Sequence, residues 1–309
     1  MKISESLFPQ INVKQAVYTR VEGTAPWGMD FIAYRHVKFG IVTRGQCFID
    51  LKNGQSPIKL SKGSCYLLTR GDAFRIRDEL NSLADDFEPL LEKLDGRILR
   101  HGGGGSETTI IGGRFIFNND APPPILDLLP AMIHFTVDDD ELTSLQSTIQ
   151  LLANEIKLSD SGLMINRLTE IFFIQSLRAY LFSDKTDELD WRGIVTDAQL
   201  VKALQIIHDD YAQKWTIDKL AKHVGMSRAV FAARFKTKLG MTPIAYLLRF
   251  RIYQAQELLN QGNVSIAQVA SRVGYESESA FHKAFKRQTG ISPGSFKKQE
   301  ENNETLISG

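Results

Sequence analysis

The chain has 309 residues, 43% apolar and 24% charged, room for two ordinary domains that each bury a core; with no run of 18 or more uncharged apolar residues, a transmembrane helix is excluded. The net charge of +1 conceals an asymmetry: residues 1–190 hold 20 Lys+Arg against 26 Asp+Glu, residues 191–299 hold 17 against 7, and the tail 300–309 adds three acids. Two cysteines, Cys47 and Cys65, rule out a disulfide framework and a zinc site of paired cysteines, and point to a reducing cytoplasm.

The opening "MKISESLFPQINVK" lacks the apolar core of a signal peptide. From 30 to 77 the chain reads as strands: "FIAYRH", "FGIVTRG", "QCFIDLKNG", "GSCYLLTRG" and "AFRIRD" are short, β-branched or aromatic, and punctuated by Gly. Asn53-Gly54 is a hairpin-turn signal. Residues 78–107 read as an acidic helical stretch followed by "HGGGGSE", which has no fixed backbone preference. His101 there marks either a mobile sensor loop or, in the preferred reading, a linker tip. Strands resume at "TTIIGGRFIFN" (108–118), and "PPPILDLLP" (122–130) ends the run. Many short antiparallel strands at this spacing suggest a sandwich or barrel. Cys47 and Cys65 fall on such strands and read as buried apolar thiols, with a redox pair as the alternative.

After Pro130 the texture turns helical. "ELTSLQSTIQLLANEIKL" (141–158) and "LMINRLTEIFFIQSLRAYLF" (163–182) lack Pro and Gly. The second is apolar around most of its circumference, so it needs cover on several sides, from another domain or a second subunit. The polar, turn-rich "SDKTDELDWRG" (183–193) marks a domain boundary at about residue 190.

The basic segment that follows contains one phrase twice. "HVGMSRAVFAARFKTKLGMTP" (223–243) returns as "RVGYESESAFHKAFKRQTGISP" (272–293). Ala221, Val224, Gly225, Ser227, Phe231, Phe235, Lys236, Gly240 and Pro243 recur as Ala270, Val273, Gly274, Ser277, Phe281, Phe285, Lys286, Gly290 and Pro293, with Glu276 inserted in the second copy. In each, a short helix stops at a Gly, a Ser is placed to cap the next helix, and that helix puts Phe at i and i+4 on its buried side. Such a unit is a helix-turn-helix, here at about 216–240 and 265–290. Between them Thr242 and Pro243 start a helix predicted over 243–260, roughly 27 Å long. That spacer would let two reader helices reach successive major grooves, about 34 Å apart.

Residues 198–299 resemble the DNA-binding domain of the AraC/XylS family of bacterial transcription regulators, most specifically in "VASRVGYESESAFHKAFKRQTGISPGSFKK". The resemblance implies seven helices with the third and sixth as readers, double-stranded DNA as partner, and a promoter setting beside RNA polymerase. Residues 30–118 are more loosely similar to the cupin-like sensor domain of such regulators, through "FGIVTRGQCFIDLKNGQSPIKLSKGSCYLLTRGDAFRI" and "HGGGGSETTIIGGRFIF". The expected architecture is therefore two-domain α+β. A cupin-like antiparallel β-barrel with C-terminal dimerisation or relay helices (about 141–182) fills 1–190. An all-α domain of two helix-turn-helix units fills 191–299, and 300–309 is a polar tail.

On the first reader, the face opposite the phenylalanines carries Arg228, Ala229, Ala232, Ala233 and Lys236. The family's base-contact positions fall on the three alanines, which can only touch a thymine methyl, so Arg228, Arg234 and Lys236 are expected to anchor phosphates. The second reader presents Glu278, Ser279, His282, Lys283, Lys286 and Arg287, with Lys283 suited to guanine and Glu278 to cytosine N4. Most base discrimination is therefore expected in the second half-site.

Catalytic cupins hold a metal with a His-x-His pair, a Glu and a later His. Here the first motif offers only His36, Phe74 stands at the later position, and His101 and His134 are scattered. No metal, cofactor or catalytic residue is expected. The favoured function is a sequence-specific, homodimeric transcription regulator whose barrel senses an unnamed small molecule or chemical stress. The alternatives are a metal-dependent cupin enzyme fused to a DNA-binding module and an architectural DNA protein with an inert barrel.

Overall fold

Two sheets build the first unit of the computed structural model, which describes residues 13–34, 36–117, 122–137, 143–156, 162–182, 194, 196–262 and 264–298. The expected linker at 183–193 and tail at 300–309 lie outside these residues. The chain divides into one unit of Val13–Pro122 with Leu129–Thr186, and another of Asp187 onward with Pro123–Leu128.

The strands are β1 Val13–Thr24, β2 Gly28–Phe31, β3 Lys38–Arg44, β4 Gln46–Leu51, β5 Ile58–Ser61, β6 Ser64–Leu68, β7 Phe74–Arg77, β8 Asp85–Asp86, β9 Ile98–Gly102, β10 Glu107–Phe117 and β11 Met132–Thr136. They form a six-stranded sheet, β11-β6-β3-β10-β1-β9, and a five-stranded one, β5-β4-β7-β2-β8. Pairing is antiparallel except where β9 runs parallel to β1 and β8 to β2 at the sheet edges. The arrangement is the cupin-like one expected, with one correction: the two sheets do not close into a continuous barrel. The tightest crossing from one sheet to the other is a single glycine. Gly45, at φ +73°, links β3 to β4, and a Cβ there would lie 2.4 Å from the Glu107 carbonyl.

The core between the sheets takes alternate residues from both, among them Val21, Trp27, Met29, Val42, Ile49, Tyr66, Phe74, Ile76 and Ile110. Tyr66 fills the space above Gly40, its partner across β3 and β6, where a Cβ would sit 2.2 Å from the phenol ring. On the other face of the six-stranded sheet, Phe39 of β3 and Phe115 and Phe117 of β10 meet Phe172 and Phe173 at ring separations of 4.6 to 6.1 Å. These last two belong to α3 (Gly162–Phe182), which pairs with α2 (Thr143–Glu155). Ile165, Leu168, Phe172, Phe173 and Leu177 of α3 are buried, whereas Leu163, Met164 and Ile171 are 45–75% exposed, as is Leu151 of α2 at 53%.

Four local expectations need correction. Residues 78–107 hold only a short helical stretch, α1 (Phe87–Leu90) continued by a 3-10 turn at Leu91–Lys93, because β8 and β9 are claimed by sheet edges that composition does not reveal. "FIAYRH" leaves the sheet after Phe31, and a strand, β11, follows Pro130. The glycine run is neither linker nor free loop. It is the β9–β10 turn, tied by Gly103 N–H to the Thr24 carbonyl and Gly105 N–H to the Ala25 carbonyl, both 2.8 Å. A Cβ at Gly102 would lie 1.9 Å from Thr24 O, so the close approach requires glycine. His101 lies within β9 with its Nε2 3.4 Å from an Asp85 carboxylate oxygen.

Cys47 and Cys65 are both buried and free. Cys47 points into the core between the sheets beside Tyr66, while Cys65, adjacent to Tyr66 on β6, points to the opposite face. Burial pushes the Cys47 thiol up to about 12 and raises Cys65 as well. This geometry matches apolar thiols rather than a bridging pair. No three His, Cys, Asp or Glu side chains converge to hold a metal ion among the described residues.

The helical unit contains α4 (Ala198–Asp209), α5 (Ile217–His223), α6 (Arg228–Leu239), α7 (Pro243–Asn260), α8 (Ile266–Arg272) and α9 (Glu278–Thr289), with a further helix over 293–298. Among the described residues from 198 on, these are the seven helices implied by the resemblance, with α6 third and α9 sixth. Residues 124–128 form a 3-10 turn grouped with this unit, where Asp127 forms an ion pair with Arg249.

Candidate nucleic-acid interface

Both hairpins are assembled by the same local devices. Thr216 caps α5 and Ser265 caps α8, the latter in a full capping box with Gln268. Each helix ends at a left-handed glycine, Gly225 at φ +71° and Gly274 at +81°. The Ser227 hydroxyl accepts from Val230 N–H at 3.4 Å and that of Ser277 from Ala280 N–H at 3.2 Å, so α6 and α9 begin where the repeat placed them. Both end at a left-handed glycine, Gly240 and Gly290.

Burial fixes which face is left for a partner. Phe231 and Phe235 of α6 are fully buried, with centroids 5.6 Å apart and planes at 66°. Phe281 and Phe285 of α9 repeat this at 5.5 Å and 62°. Around the second pair, Ile252, Ala255, Leu259, Val269, Val273 and Phe296 close a core that belongs to α7, α8 and the last helix. α7 spans Pro243–Asn260 as predicted; Thr242 caps it by accepting from Ala245 N–H at 3.3 Å. Inside, His208 of α4 hydrogen-bonds the Tyr246 hydroxyl at 2.8 Å and stacks on Phe250 at 4.4 Å. Burial lowers the His208 pKa to about 4, so the imidazole is neutral at pH 7.

The outer faces carry the residues singled out from the sequence. On α6, Arg228, Ala229, Ala233 and Lys236 are exposed and Ala232 is half-buried. Val230, 54% exposed, joins Ala229 and Ala233 in an apolar strip that the sequence expectation does not include. Arg228 pairs with Asp218 at 3.1 Å, both side chains more than 60% exposed, a contact that costs little to break. Arg234 is differently employed. Its Nε lies 2.6 Å from the Asp197 carboxylate, which is buried and also caps α4 by accepting from Gln199 N–H and Leu200 N–H. Its Nη1 donates to Gln199 Oε1 at 3.3 Å. Arg234 therefore braces α6 against the start of α4, a role its place in the basic run concealed.

On α9, Glu278, Ser279, Lys283, Lys286 and Arg287 are exposed and His282 is half-buried, its Nε2 3.5 Å from Glu278 Oε1. The Ser279 and Ser277 hydroxyls lie 3.3 Å apart. The exposed face of α6 is thus small and apolar between cations, and that of α9 is polar apart from Ala280.

Comparison with known proteins agrees with this geometry. Residues 5–182 match a family model described as Cupin, and residues 220–299 match one described as Helix-turn-helix domain. A putative AraC-like transcription regulator of Streptomyces lividans is 35% identical over 274 residues, 88% of this chain and 90% of that protein. The HTH-type transcriptional regulator MtrA of Neisseria gonorrhoeae is 28% identical over 84% of this chain and 85% of its own length. Among solved structures, the DNA-binding domain of AdpA in complex with a target DNA is 30% identical, covers 34% of this chain and 95% of that one, and has a TM-score of 0.33. These relatives are transcription regulators, which leaves the fused-enzyme reading without support. The chain therefore belongs to the AraC-like family of DNA-binding transcription regulators.

Proposed function

We propose that α6 and α9 both enter major grooves of one DNA duplex, and that α9 does most of the base reading. The observation that carries this is the contrast between the two outer faces. Ala229, Val230 and Ala233 on α6 offer only methyl contacts, with Arg228 and Lys236 as phosphate anchors, whereas Glu278, Ser279, His282 and Lys283 on α9 supply donors and acceptors for base edges. Lys286 and Arg287 supply further cations there. Arg234 contributes through its brace to Asp197 rather than as a free anchor.

The cupin domain acts as the sensor. Its core is apolar except for a few groups, and the indole N–H of Trp27 is buried with no hydrogen-bond partner among the described residues, a donor suited to an acceptor on a small molecule. Binding must favour one arrangement of the chain over another to transmit a signal. The exposed strip of Leu151, Leu163, Met164 and Ile171 suits a second copy of the chain, giving a homodimer on a repeated or palindromic operator. Such a protein works in the cytoplasm, next to RNA polymerase.

The test is a titration of Lys283→Ala and Lys236→Ala on a selected duplex and its scrambled version. Lys283→Ala should relax preference at one base pair by about 1–3 kcal/mol, and Lys236→Ala should weaken all duplexes alike. Equal losses from both on every sequence would refute the division of labour.

A further inference from the structure

Arg251, in the middle of α7, is 8% exposed and touches neither outer face of the readers. Its Nε donates to the Tyr211 carbonyl at 2.7 Å, Nη2 to the Gln213 carbonyl at 2.9 Å and to that of Ala212 at 3.4 Å, and Nη1 to the Gly274 carbonyl at 3.1 Å. The Tyr275 ring lies over the guanidinium at 5.8 Å. A buried cation held by carbonyls is costly, and a well-packed apolar residue often serves stability as well or better. What the fork does supply is a junction. Residues 211–213 connect α4 to the first hairpin, and Gly274 is the turn of the second. The two backbones meet so closely that a Cβ at Gly274 would lie 2.3 Å from the Ala212 carbonyl oxygen. Only a planar group with several fixed donors can hold both carbonyl sets at once from the connecting helix; lysine cannot.

We infer that Arg251 is a positioning residue for DNA binding: it locks the turn of the second hairpin to the segment leading into the first, and so sets the spacing and rotation between the two readers. The inference rests on the reading that both α6 and α9 engage one duplex. A chain with this lock accepts one separation of half-sites. A chain without it hinges about α7 and tolerates several.

The full-length chain is used to select a bipartite duplex from a random-sequence pool, and insertions are then placed between the two halves. About five added base pairs turn one half-site to the opposite side of the helix, and the wild-type chain should lose about a hundredfold in affinity as it falls back to one half-site. Arg251→Met, measured on the same duplexes, should shrink that penalty to about tenfold or less while keeping its affinity for an isolated half-site. Arg251→Lys should shrink it as well, since lysine lacks the fork. An unchanged penalty in Arg251→Met, or equal weakening on every duplex including the half-site, would overturn the inference and leave the two-reader reading intact. If the wild-type chain shows no penalty, both fail. Should Arg251→Met not fold, Arg251→Lys decides by the same ratio; failure of both to fold would make Arg251 a stability element and overturn the inference.

Discussion

The same substitution made at the two hairpin glycines should have very different consequences. Gly225 and Gly274 have nearly the same backbone, φ +71° and +81°, so alanine pays the left-handed penalty of about 1–2 kcal/mol at either. Their surroundings differ. The nearest atom to a Cβ at Gly225 is the flexible amide of Gln199 at 3.9 Å, whereas at Gly274 the Ala212 carbonyl oxygen and carbon lie at 2.3 and 2.8 Å. Backbone must move to admit the methyl there, which adds about 1–3 kcal/mol of overpacking. Moving Ala212 also disturbs the carbonyls that satisfy the Arg251 guanidinium. Gly225→Ala should therefore cost about 1–2 kcal/mol and Gly274→Ala about 2–5 kcal/mol. Because a two-unit chain need not unfold in one step, the assay is hydrogen exchange in rising urea, read separately on peptides from 198–240 and 264–298. Equal losses at the two glycines, or a larger one at Gly225, would refute the crowding argument.

His208 is neutral in the fold, with a pKa lowered by burial to about 4, and regains its ordinary value near 6.5 on unfolding. The unfolded chain therefore binds the extra proton between those values, so stability is complete above about pH 6.5 and is lost as pH falls toward 4, by at most about 3 kcal/mol. Urea midpoints across pH 4–7 should show this slope, and His208→Gln should flatten it. In Met164→Glu with Ile171→Glu, sedimentation should show a halved mass with an unchanged circular dichroism spectrum if that strip joins two copies; an unaltered mass would refute the assignment. Cys47 and Cys65 should resist a thiol reagent at pH 8 until denaturant is added, and rapid labelling of the native chain would contradict their burial.

The helical half was largely legible because its signals are local. Ser227, Ser277, Thr242, Pro243 and the paired phenylalanines sit where capping and periodicity put them, and α7 has the bounds its cap predicts. The sheets were read less well. β1, the longest strand described, buries Ala16 and Tyr18 and then, shifted by one residue, Val21 and Gly23, so no single period-two pattern runs along it, and Lys14, Arg20 and Glu22 obscure it further. β8 and β9 are strands only because β2 and β1 offer them an edge. At the interface, composition separated the alanine face from the polar one, but it could not show that Arg234 is spent on Asp197 or that Arg251 serves carbonyls 23 to 40 residues away.

The ring pairs Phe231–Phe235 and Phe281–Phe285, within 0.1 Å and a few degrees of one another, mean that two copies of one chassis carry different outer residues. Apart from Arg234, which braces α6 to Asp197, duplication has freed the outward positions of each from duty to the interior. One copy can therefore drift toward plain adhesion while the other is rewritten for new sequences, and an engineer can transplant the α9 face onto α6 without redesigning what lies beneath.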